Sequence, residues 1–168
     1  MRGATDMVSQ AWRSHRRLLL IETVAAIGVN CLLTVVAAYL VAGKMQQVPL
    51  WGAGGMAVDL FPTFFMITFM TTLIPTLLIR RRMATGAIEP LRAPAQSRLV
   101  RVRPARRALL FAAVATLLFA PATAALLGLL GLEQLPFGAF VAFKAGLAVF
   151  YAAAITPPLV VLELARGS

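Results

Sequence analysis

The sequence predicts an all-α membrane protein: four transmembrane helices arranged as two tandem hairpins, with the N and C termini cytoplasmic. Three observations lead there. The 168 residues are 60% hydrophobic and only 13% charged, where a water-soluble domain carries about a quarter charged residues. The apolar residues gather into four runs, at approximately 18–42, 60–79, 108–130 and 135–162, each reaching the roughly 20 residues that a helix needs to cross hydrocarbon about 30 Å thick. The basic residues are partitioned between the connections, and that partition sets the orientation.

Residues 1–17 form a basic segment carrying Arg2, Arg13, Arg16 and Arg17. The first hairpin follows over 18–79, then a basic loop over 80–107, a second hairpin over 108–162 and a short tail over 163–168. The loop carries nine arginines, and Arg166 follows the last span. Fourteen of the sixteen basic residues therefore fall on one side, Lys44 on the other, and Lys144 within a span. By the positive-inside rule the arginine side is cytoplasmic. The opening run resembles a signal peptide in its basic start and small residues. At about 25 residues it exceeds the 7–15 of a signal core, so it is expected to be retained. The excess of arginine over lysine, with heavy use of alanine, suggests a GC-rich bacterial genome and hence the inner membrane.

The two halves share a pattern. Each second helix follows a short proline-containing outer loop (VPLWG at 48–52, LPFGA at 135–139) and ends with a proline near the arginine side, Pro75 or Pro157. Setting those prolines on each other also superposes Phe61 on Phe143 and Phe69 on Tyr151. A two-span unit repeated in tandem is a parallel repeat.

The first half carries a further pattern: VPLWG, Asp59, a Phe-rich span with Thr63 and Phe69, LIPTLL at 73–78 and RRR at 80–82. Over roughly residues 27 to 86 it resembles an uncharacterised family of small bacterial inner-membrane proteins with a VPLWG-type outer loop. That resemblance implies the topology and no activity.

Lys144 interrupts the apolar stretch FGAFVAFKAGLAVFYAAAI at 137–155. A charge there can snorkel to the headgroups, pair with Asp59 or Glu133, or mark an ion or substrate site. Asp59 lies 16 residues before Pro75 and Lys144 13 before Pro157, which places the two within about 5 Å of the same depth at 1.5 Å per residue. They form a candidate intramembrane polar pair. Glu22 lies one turn inside the boundary, near Arg16 and Arg17, which would hold it ionised.

Asn30, Thr68, Thr72 and Thr76 are candidates for interhelical hydrogen bonds, because an amide in hydrocarbon needs a partner and threonines can satisfy the carbonyls that a proline frees. Ala112, Thr116, Ala120, Ala124 and Gly128 recur every four residues, as do Gly138, Ala142 and Gly146. Such small-residue faces let helices approach closely. They predict packing of the third helix on the fourth, or an interface to another protein. Arg80, Arg81, Arg82, Arg101, Arg103, Arg106 and Arg107 are expected to contact anionic lipid headgroups.

Enzyme signatures are absent from the sequence. His15 and Cys31 are the only residues of their kinds, too few for a metal cluster, and no phosphate loop or nucleophile elbow occurs. No catalytic, cofactor or metal residue is expected. The basic loop holds no aromatic residue for base stacking, so nucleic acid is not an expected partner. The sequence points to a non-enzymatic membrane protein, an accessory or structural subunit of a larger membrane complex that meets lipids and other membrane subunits. The alternative is a small transporter or permease, working as a dimer because four helices enclose little space.

Overall fold

The computed structural model describes residues 2–88 and 103–165, and of residues 2–14 only the backbone. Four helices make up the bulk of it: α1 (Arg2–Ala42), α2 (Met56–Ala84), α3 (Pro104–Leu129) and α4 (Phe137–Leu164). α1 kinks at His15, where the basic lead meets the apolar run. From there to Ala42, and along each of the other three helices, the chain is long and apolar enough to cross a membrane. This is a multi-pass helical protein.

The helices overrun the boundaries set by hydropathy. α2 carries its arginines to Ala84, and α3 begins at Pro104, a residue suited to the first helical turn because its missing N–H would have no partner there. α4 runs on to Leu164. Arg107, placed by hydropathy in the loop, and Glu163, placed in the tail, are therefore both helical and both inside the bundle.

The two short connections, between α1 and α2 and between α3 and α4, hold the halves together. Residues Gln47–Pro49 (β1) and Gln134–Pro136 (β2) form a two-stranded antiparallel ribbon, with Gln47 opposite Pro136, Val48 opposite Leu135 and Pro49 opposite Gln134. The ribbon maps onto itself when the halves are exchanged, because Gln47 corresponds to Gln134 and Pro49 to Pro136. The flanking bonds obey the same exchange. Leu50 N donates to Glu133 O (2.7 Å), and Phe137 N donates to Gln46 O (3.0 Å). Equivalent residues here stand 87 apart, whereas Pro75 and Pro157 stand 82 apart. The five-residue difference is WGAGG at 51–55, present only in the first half. Gly52 and Gly54 adopt positive φ of 101° and 81°, which glycine accepts without steric cost, so the extra residues loop out without disturbing α2.

Packing follows the same two-fold plan. α2 lies chiefly against α3, α1 against α4, and α2 and α4 meet in the middle. The helices of one hairpin make less contact: α1 and α2 share a small interface, and α3 and α4 almost none. The expected packing of the third helix on the fourth is therefore corrected. Ala112, Ala120 and Ala124 are buried on the helix that packs on α2, and Gly128 lies beneath the side chains of Trp51 and Leu50. Gly138, Ala142 and Gly146 are exposed, with open space beside both glycines. A four-residue period shows that a helix has a flat face. It does not show which neighbour takes it.

Candidate functional site: a buried polar axis

Most of the buried polar residues lie on α2 and α4, and along the seam between these helices they fall into three levels. At the ribbon end, Lys144 Nζ lies 2.6 Å from Asp59 Oδ2, and Thr63, one turn further along α2, donates to the same oxygen (3.3 Å). Lys144 is 1% exposed and sits 5.3 Å from the centre of the Phe140 ring. It therefore neither snorkels to the surface nor reaches Glu133. Equal depth on two helices that meet in the seam brings the ammonium and carboxylate together. A buried charge survives in such a place only when paired.

The middle level is aromatic and hydroxylic. Phe64 of α2, Phe119 of α3 and Tyr151 of α4 meet edge-on or tilted, with ring centres 5.0–6.2 Å apart. This triad separates the Asp59–Lys144 pair from the polar groups nearer the arginine end. Around and below it, the hydroxyls of Thr68, Thr72, Thr116, Tyr151 and Thr156 are buried with no hydrogen-bond partner among the described residues. Thr68 and Thr72 thus do not bond a neighbouring helix, contrary to expectation.

The third level, at the arginine end, joins three helices. Glu163 of α4 accepts from Arg80 Nε of α2 (2.7 Å) and pairs with Arg107 Nη2 of α3, whose nitrogen also donates to Thr76 (2.7 Å). Glu163 is 0% and Arg107 1% exposed, and Arg107 Nε and Nη1 have no hydrogen-bond partner among the described residues. This corrects the lipid-contact reading for Arg107, which an acidic partner on another helix has drawn into the core. Arg80 is committed to the same carboxylate. Arg81, Arg103 and Arg106 are exposed, and Arg101 lies outside the described residues.

Two bonds tie α1 to α2. Arg82 Nη1 lies 2.6 Å from Glu22 Oε1, so Glu22 is held by α2 and not by the neighbouring Arg16 and Arg17. Asn30 donates to Thr71 Oγ1 and to Ala26 O, both at 2.8 Å. Cys31 approaches Ala145 O of α4 at 3.8 Å.

Sequence reasoning missed Glu163, Thr71, Tyr151 and Thr156. Glu163 carried no such signal: 19 residues beyond Lys144, about 5.3 turns, it lies roughly 100° around an ideal helix, and hydropathy put it in the tail. Thr71 was masked by the regular stripe of Thr68, Thr72 and Thr76. One residue off that stripe, it turns about 100° away and faces α1.

Chemically, the axis can hold charges apart from lipid and fix the helices in register. Among the described residues no cluster of acidic, histidine or cysteine side chains could hold a metal ion. No protein-family profile, curated protein or solved structure matches the chain.

Proposed function

We propose that this chain is a non-enzymatic, polytopic inner-membrane protein, an accessory or structural subunit of a larger bacterial membrane complex, with both ends on the cytoplasmic side. One observation carries the reading. Each carboxylate within the four spans is ion-paired with a cation on a different helix: Glu22 with Arg82, Asp59 with Lys144, and Glu163 with both Arg80 and Arg107. A proton- or cation-coupled carrier needs a carboxylate able to exchange its partner. Here the acidic groups serve as interhelical locks, and the Phe64–Phe119–Tyr151 triad interrupts the axis between the outer and inner locks. The outward small-residue face of α4 agrees with a neighbour subunit, since such faces drive helix association in lipid.

A second reading, a small transporter or permease working as a dimer, draws on the five unpartnered hydroxyls near the axis. Buried hydroxyls without partners cost about 1–3 kcal/mol each, and a hydrated path would relieve that cost. Gentle detergent extraction from native membranes separates the readings. Stoichiometric companions that remain with the chain through two chromatographic steps are expected of a subunit. A lone homodimer that supports solute flux in proteoliposomes overturns that reading.

A further inference from the structure

Because α3 and α4 barely touch, a groove of about 760 Å³ opens between them, within the range of about 300–1,000 Å³ typical of ligand sites. Leu110, Val114 and Phe119 form its α3 wall, Ala154 and Leu162 its α4 wall, and Thr68 of α2 lies at its back. Among the described residues its other neighbours are apolar. We propose that this groove binds one acyl chain of an anionic phospholipid whose phosphate is held by Arg103 and Arg106.

Length, position and charge converge on that ligand. From Leu110 to Phe119 the α3 wall rises about 14 Å at 1.5 Å per residue, close to the roughly 15 Å that one leaflet contributes to the hydrocarbon core. The groove thus begins near the arginine end and stops near the bilayer centre, as a single chain of that leaflet does. Arg106 lies one turn before Leu110 and Arg103 is the residue that caps the helix, so Arg103, Arg106, Leu110 and Val114 succeed one another at three- and four-residue steps on one face. Both arginines are exposed and stand at headgroup level above the groove. Beside them the Arg80–Arg107–Glu163 cluster carries two cations to one carboxylate, a surplus positive charge that also favours an anion. Basic pockets between helices bind anionic headgroups by this combination of charge and enclosed chain.

The other large groove, between α1 and α2, does not share these properties. It is smaller, about 310 Å³, and its mostly apolar lining includes Asn30, Thr34, Asp59 and Thr63, so its one charged residue is a carboxylate, at the end poor in arginine.

The test uses the full chain, delipidated in maltoside detergent and titrated with phosphatidylglycerol or phosphatidylcholine, with bound lipid counted by native mass spectrometry. One phosphatidylglycerol per chain is expected to bind, with phosphatidylcholine roughly thirtyfold weaker, since each of the two arginines near the headgroup contributes about 1 kcal/mol. Val114→Trp, at an exposed position on the groove wall, is expected to abolish binding of both lipids. The pair Arg103→Gln and Arg106→Gln is expected to equalise the two lipids while leaving the chain site open. Leu162→Trp fills the groove from α4 and serves if Val114→Trp loses helicity. Absence of a stoichiometric lipid overturns the proposal. So does binding unchanged in both tryptophan variants, or a phosphatidylglycerol preference that survives loss of both arginines.

Discussion

Lys144 of α4 and Asp59 of α2 meet at 2.6 Å in a part of the bundle where neither side chain is more than a few per cent exposed. Removing one partner of such a pair strands a charge in apolar surroundings, at a cost of about 3–5 kcal/mol, whereas removing both is often neutral. Lys144→Met alone is therefore expected to lower the unfolding midpoint strongly. The double variant Lys144→Met with Asp59→Asn should recover most of the loss. Circular dichroism during titration with SDS from a mild detergent measures both. A single variant that unfolds like the parent would show that the pair does not hold α2 to α4.

Glu163 stands between two arginines, and its replacement leaves both without their acid. Glu163→Gln is expected to destabilise by more than Glu22→Gln, because Arg107 is enclosed while the Arg82 side chain, 39% exposed, can turn to water. The expected gap is about 2 kcal/mol or more, by the contrast between buried and exposed pairs. Comparing the two unfolding midpoints in one detergent measures it. Equal midpoints would place Arg107 in contact with water.

The four spans were legible because hydrocarbon thickness imposes a length that no other fold needs. The common depth of Asp59 and Lys144 was legible too, since both could be counted from a proline at the same end. Partner choice was not. The alanines of α3 announced a close-packed face, but the helix they pack on is α2, selected by the ribbon that sets α3 across from it. Arg107 read as a loop cation because charge lowers hydropathy whether or not a carboxylate waits 56 residues further on. The offset between the halves misled in the same way. Prolines align at 82 and the ribbon at 87, and the hydrogen bonds of Leu50 and Phe137 place the five extra residues just after the ribbon.

Orientation is a consequence of charge, and it predicts an asymmetry in labelling. With Cys31 replaced by Ser, a cysteine at Met45 beside the ribbon should react with a membrane-impermeant maleimide added to intact spheroplasts. A cysteine at Arg81 should react only after the membrane is broken. Both positions are exposed, so burial does not confound the comparison. The reverse pattern would invert the topology and with it the leaflet assigned to the basic groove.

The ribbon makes the sharpest geometric prediction. Gln47 faces Pro136 and Pro49 faces Gln134, and residues directly opposite in an antiparallel pair lie about 4.5–5.5 Å apart between Cα atoms, inside the span a disulfide bridges. In the background lacking Cys31, Gln47→Cys with Pro136→Cys should oxidise to an intramolecular bond, read as a mobility shift that a reductant reverses. By the two-fold register, Pro49→Cys with Gln134→Cys should do the same at a similar rate. Lys44→Cys with Gln134→Cys, with Lys44 in the turn five residues before the in-register partner Pro49, should remain reduced under the same oxidant. Cross-linking of one in-register pair without the other would break the exchange symmetry and leave the halves related by composition alone.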